Sequence, residues 1–108
     1  MPSTPLFRVA VQPERERVRV IPYGELDLAT VEQLETQIAQ LRARGYPTIV
    51  LDLRQLTFMD STGLRLLVEL DAESRSDGFR FAILDCAGPV RRLLELTQID
   101  GRLEYADG

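Results

Sequence analysis

Ile49-Val50-Leu51-Asp52-Leu53 and, five residues further on, Phe58-Met59-Asp60-Ser61-Thr62-Gly63-Leu64 decide how this chain folds. In the first run Ile49, Leu51 and Leu53 fall on one face and Val50 and Asp52 on the other, the period of a strand. The second opens the periodic run Leu64 to Leu70, so it stands where a buried strand hands over to a helix. In an open α/β sheet such turns lie at the carboxyl ends of the strands, where ligands and partners dock. Asp60 is a good N-cap, and Ser61 and Thr62 put two hydroxyls in the first helical turn. Gly63 keeps the helix shoulder bare, so that another backbone can come close at little cost to the helix. Ser, Thr and Asp also gather at helix starts for structural reasons alone, and at this point that account stands beside the functional one.

On the N-terminal side, Phe7, Val9 and Val11 alternate with Arg8 and Ala10, and Arg17-Val18-Arg19-Val20-Ile21 alternates again after Gln12 to Glu16, which predicts a hairpin with one apolar face. Pro22 ends the second strand's hydrogen bonding, and Gly24-Glu25-Leu26-Asp27 makes the next strand-to-helix turn. Val31, Leu34, Ile38 and Leu41 predict a helix packed on the sheet. Thr30 and Gln33 have capping-box spacing, which leaves Asp27 free to act at the surface. A second helix runs from about Thr62 to Ser76, closed by Gly78. Phe79, Phe81 and Ile83 against Arg80, Ala82 and Leu84 form a fourth strand. Pro89 opens a third helix with Val90, Leu93, Leu94 and Leu96 on its apolar side. Arg102 to Tyr105 reads as a short last strand. The charges kept on one side of these strands leave one sheet face poorly covered, and right-handed crossovers put the helices on the other. The expected class is therefore α/β, a mixed sheet of about five strands with helices mainly on one face.

With 108 residues the chain is expected to form one domain, 1–108, led by a disordered segment, 1–6. Net charge is −4, all thirteen basic residues are Arg, and there is no His. No basic excess marks a nucleic-acid or membrane surface. One cysteine and no His cannot build a metal site, so no metal and no cofactor are expected. Ser61 or Asp60 as an enzymatic nucleophile would lack a His base and an oxyanion partner, so the chain does not read as an enzyme. The N-terminus lacks a basic and apolar signal and no apolar run approaches a membrane span, so the expected location is cytoplasmic.

Taken with Gly24-Glu25-Leu26-Asp27 upstream and Pro89-Val90-Arg91-Arg92-Leu93-Leu94-Glu95-Leu96-Thr97 downstream, Phe58 to Leu64 resembles the bacterial anti-sigma factor antagonists, freestanding members of the STAS family. The resemblance covers nearly the whole chain and implies a right-handed β-α superhelix with a hairpin strand at one edge. In that family the first hydroxyl after the Asp, here Ser61, is phosphorylated by the anti-sigma factor, itself a serine kinase. The resemblance thus implies a partner switch: the unphosphorylated form binds the kinase and releases a sigma factor, phosphorylation at Ser61 ends binding, and a phosphatase acting on phospho-Ser61 restores it. Asp27, Asp60, Ser61, Thr62, Gly63 and Arg65 are the expected partner surface, with Arg65 one helical turn beyond Ser61. The alternative is a STAS scaffold in a stressosome-like or transporter-associated complex, against which the free-standing length and the intact Asp-Ser-Thr-Gly motif count. A phosphate brings about −1.5 to −2 charges and three strong acceptors. The free N–H groups of the helix start are expected to receive it, so that binding changes while the fold survives. Two features depart from the family. Gln98 stands where relatives usually have the Gly that ends the third helix, which calls for a strained left-handed residue or a different turn. The chain also stops at Gly108, so the family's C-terminal helix is expected to be largely missing.

Overall fold

Val18, Val20, Ile49, Leu51, Phe81 and Ile83 stand side by side across three strands and point to one face, where the helices bury them. This arrangement is seen in a computed structural model that describes residues 7–84, 86 and 88–107; the expected lead, 1–6, lies outside them. In chain order the elements are β1 (Arg8–Pro13), β2 (Val18–Leu26), α1 (Val31–Ala43), β3 (Thr48–Asp52), β4 (Leu56–Met59), α2 (Ser61–Asp77), β5 (Arg80–Leu84) and α3 (Gly88–Leu96). The sheet order is β1-β2-β3-β5, with β4 also paired to β2. Among the described residues only the β1–β2 hairpin is antiparallel; the pairs β2–β3, β2–β4 and β3–β5 are parallel. Leu34, Ile38 and Leu41 from α1, Leu66, Leu67 and Leu70 from α2, and Val90 and Leu94 from α3 enter one core. The expected mixed five-stranded sheet with helices on one face is what forms.

Two strand expectations need correction, and one strand is added. β2 does not stop at Pro22 but runs on to Leu26. It changes partner on the way: Val18 to Val20 pair with β3 and Gly24 to Leu26 with β4. Pro22 sits in the gap between the two, where a missing N–H costs least. Gly24, at φ 103°, supplies the bulge that realigns the strand with β4. β4, which the sequence reading does not number among the strands, has four residues buried only at their ends and so shows no period of two. It continues β3 after a short sideways step in which the Leu56 N–H donates to the Leu53 carbonyl at 3.2 Å. The last strand shrinks to a single bridge between Ile83 and Tyr105, displaced toward Ala106, whose N–H donates to the Ile83 carbonyl at 2.8 Å.

The second sheet face is better covered than its charges imply. Val50, Ala82 and Leu84 are buried there. The hairpin turn Glu14 to Arg17 and the tail Tyr105 to Asp107 wall a groove of about 390 Å³ over Val50 and Ala82. Beside it Asp52 is only 3% exposed. Burial alone would raise its pKa. The Arg54 backbone N–H and guanidinium donate to it at 2.8 to 3.0 Å, and the Arg54 and Arg19 charges add to them, so its carboxyl is held below the usual value. A depressed folded pKa contributes stability above the unfolded value, about 3.9, and loses it as pH falls through the lower folded one.

α2 ends as expected on left-handed Gly78, at φ 75°. α3 ends on Gln98 at φ 60°, the strained alternative for a non-glycine cap. Two measurements test these points. Gln98→Gly should relieve about 1 kcal/mol of backbone strain and raise Tm by roughly 4 °C in a thermal melt. Asp52→Asn should lower stability at neutral pH and flatten the loss of stability below about pH 4 in acid titrations followed by circular dichroism; an acid limb identical to that of the unaltered chain would refute the role given to Asp52.

Candidate functional site

The carboxyl ends of β2 and β4 are neighbours, Leu26 opposite Met59, and each strand leads into a helix start. The Asp60 N–H donates to the Leu26 carbonyl at 3.2 Å and ties the two turns together. Asp60 then caps α2: its carboxylate accepts from the N–H groups of Thr62 at 2.9 Å and Gly63 at 3.3 Å. Ser61, the first residue of α2, is exposed, and its hydroxyl makes no hydrogen bond to any described residue. Thr62 is half-buried. Arg65, one turn along, is exposed and makes no ion pair with a described residue. Because Asp60 already occupies the Thr62 and Gly63 N–H groups, a phosphate on Ser61 would not find them free. That narrows the expected local acceptance to the Ser61 N–H and the helix dipole.

The Asp27 turn is built differently from a capping box. Thr30 makes no side-chain bond into α1. Its hydroxyl turns back, donating to the Glu25 carbonyl at 2.8 Å and accepting from the Asp27 N–H at 3.0 Å. Asp27 is not released by this arrangement, since one of its carboxylate oxygens accepts from the Ala29 N–H at 3.0 Å. The loop is thereby fixed at both ends of Leu28, which projects from it 78% exposed. Leu28 escapes notice in the sequence because it precedes the α1 stripe by three residues and looks like part of it.

Gly63 is the main correction. It is buried, and a Cβ placed on it would lie 2.7 Å from Met59 Cγ and 2.9 to 3.0 Å from Leu26 side-chain carbons. Its bare shoulder faces inward, filled by Leu26 and Met59, and is not open to a partner. Two further apolar residues are exposed, Phe58 at 43% and Leu96 at 76%, the second against expectation. Leu96, read as a core residue of α3, lies beyond the reach of the Val90 and Leu94 face. Among the described residues no group of three or more His, Cys, Asp or Glu could hold a metal ion, and no helix is long and apolar enough to cross a membrane.

Comparison with known proteins fits this geometry. The model of the STAS domain matches residues 10–106. The chain belongs to the STAS family. This STAS domain is 35% identical over 86 residues to an anti-sigma-B factor antagonist of Staphylococcus aureus, covering 79% of each chain. An anti-sigma factor antagonist from Mycobacterium paratuberculosis has the same fold, with a TM-score of 0.81 and 28% identity over 94% of this chain and 87% of that one. The anti-sigma factor antagonist SpoIIAA in its unphosphorylated form matches with a TM-score of 0.73 and 27% identity, over 94% of this chain and 89% of its own. A structure of SpoIIAA in the phosphorylated form matches at a TM-score of 0.67 and 26% identity, over 94% and 92%.

The packing of Gly63 makes a direct prediction. In Gly63→Ala the better helix propensity of Ala, worth up to ~1 kcal/mol, is outweighed by overpacking against fully buried Leu26, which costs about 1–3 kcal/mol. A net loss of roughly 1–2 kcal/mol in urea unfolding is expected; unchanged stability would mean that the Leu26–Met59 lid gives way freely.

Proposed function

We propose that this STAS domain is a phosphorylation-regulated anti-sigma factor antagonist, a cytoplasmic binding protein and not an enzyme. Its unphosphorylated form binds an anti-sigma factor with serine kinase activity and so frees a sigma factor. Phosphorylation of Ser61 ends that binding, and a phosphatase acting on phospho-Ser61 resets it. The observation that carries the proposal is the exposed, unbonded hydroxyl of Ser61 at the start of α2, beside the braced Asp27 turn. The antagonists among its relatives, one of them seen in both unphosphorylated and phosphorylated forms, support the same reading.

The chemistry of the switch depends on the cap. Asp60 holds two of the N–H groups that could draw a phosphate inward, so the new charge stays at the surface beside the carboxylates of Asp60 and Asp27. Arg65, one turn away on α2, is the cation placed to answer it from this chain. An interface matched to a neutral hydroxyl then meets about two negative charges that it must desolvate or leave unpaired. Binding is lost while the core is untouched.

Intact-mass measurement after incubation with ATP and each candidate anti-sigma kinase tests this. One kinase should add one phosphate, and Ser61→Ala should abolish the shift with its melting curve unchanged. Ser61→Glu should weaken binding of that kinase at least tenfold by calorimetry, about 1.4 kcal/mol. Full-rate phosphorylation of Ser61→Ala, on Thr62 for instance, would move the switch to another residue.

A further inference from the structure

The two outer edges of the sheet differ. Along β5 the tail closes the edge, with Tyr105 bridged to Ile83 and the Ala106 N–H donating to the Ile83 carbonyl at 2.8 Å. β1 pairs with β2 alone, and nothing among the described residues pairs with its outer side. The register decides which groups stand there. Val9 lies opposite Pro22, which has no N–H, so these two cannot exchange hydrogen bonds and form an unbonded position of the ladder. Bonded and unbonded positions alternate in an antiparallel pair. Val9 and, two residues on, Val11 therefore turn their N–H and C=O groups outward. Edge strands are ordinarily blunted by charge. Here both polar side chains of β1 are drawn back over β2: the Arg8 guanidinium stacks on the Tyr23 ring at 4.0 Å, and Gln12 accepts from Arg19 at 2.8 Å. Half-buried Val9, Ala10 and Val11 are left along the edge. On the helix side Gln37, Gln40 and Arg44 of α1 border Val11 around a hollow of about 110 Å³, and Gln33 extends that stripe by one turn. Neither β1 nor this border carries a carboxylate.

We propose that a second copy of this chain occupies the edge, its β1 antiparallel to the first about a two-fold axis at Ala10, so that two five-stranded sheets join into one. Three features select this occupant. The register about Ala10 sets Val9 opposite Val11 of the second copy, and the outward N–H and C=O groups of each satisfy those of the other. The same register sets Arg8 opposite Gln12 and never opposite a second Arg8, and it keeps the two Arg44 side chains at opposite ends of the seam, so like charges do not meet. The α1 borders meet as uncharged amide stripes, Gln33, Gln37 and Gln40, and an isologous contact requires one patch to serve both sides in this way. The pattern is thus its own complement, which a foreign segment need not be. Ser61 belongs to neither β1 nor α1. Both copies keep that surface open, and the pairing does not depend on the proposed function.

Sedimentation equilibrium of the full chain over a concentration series, with amide hydrogen exchange at its two ends, tests this. The unaltered chain should pass from monomer to dimer, and the Val9 and Val11 amides should gain protection as it does. Ala10→Lys should weaken the dimer about tenfold or more, because it sets two ammonium groups opposite each other where side chains of facing strands come closest. Gln37→Glu, on the surface of α1 and away from the sheet, should weaken it in the same direction while the circular dichroism spectrum stays that of the unaltered chain. Ala10→Lys mixed with Ala10→Glu should recover the dimer that neither forms alone, since position 10 faces itself across the axis. A monomer at every concentration would overturn the proposal. So would a dimer that Ala10→Lys leaves unchanged, one that forms without protecting Val9 and Val11, or a mixture of the two variants that stays monomeric.

Discussion

Gly63 has no room for a side chain, and that packing constraint couples the elements that meet at the site. Leu26, at the end of β2, and Met59, at the end of β4, close over its Cα. α2 can begin where it does only because this residue lets its first turn sink onto two adjacent strand ends. The Asp60 N–H, donating to the Leu26 carbonyl, fixes the same junction through the backbone, and the Asp60 carboxylate then caps the helix. Each of these contacts uses backbone or a buried side chain. The position of the Ser61 hydroxyl is thus set by packing on the rigid sheet, with little left to the preferences of the loop.

How much of this is legible in the sequence depends on whether a residue's role is local. β1, β3, β5, α1 and α2 are long enough to display a period and bury one face, and each is predictable from that period. β4 is not, since four residues with buried ends carry no period, and its strand character comes from β2 changing partner after Pro22. Thr30 illustrates a second limit. Its spacing to Gln33 fits a capping box, yet the Glu25 carbonyl, brought near by the end of β2, takes its hydroxyl instead. Gly63 and Leu96 fail in opposite directions: the glycine expected to be open is enclosed, and the leucine expected in the core is exposed. Residue type states what burial would be worth, while the neighbour that provides it arrives from a distant element. At the candidate site the sequence pointed to Asp60, Ser61 and the nearby Asp27 turn, and the structure brings these together; the exposure of Leu28 and Phe58 needs the tertiary arrangement.

The buried carboxylate and the proposed switch are kept apart, one on a sheet face and the other beyond the strand ends. The buried Asp52 carboxylate with Arg54 and Arg19 lies on the face away from the helices, where pH acts on the fold itself. The Ser61 region contributes differently, because its helix cap is already satisfied by Asp60. A phosphate there gains little from the fold and costs it little, so the free energy of modification is left to be expressed against whatever docks on the surface.

Met59 then acquires a second consequence. One flank of its side chain fills the space above Gly63 and the other lines a groove beside α3. Since Gly63 admits no slack, the offset between the start of α2 and the end of β4 is fixed by contacts that are buried in the core. On the proposed function, a partner docked over Ser61 would meet its hydroxyl on a surface that does not shift beneath it. A soft junction would let the partner slide and absorb part of the penalty. A tight one, in which interiors resist deformation rather than yielding continuously, passes the whole of it to the interface.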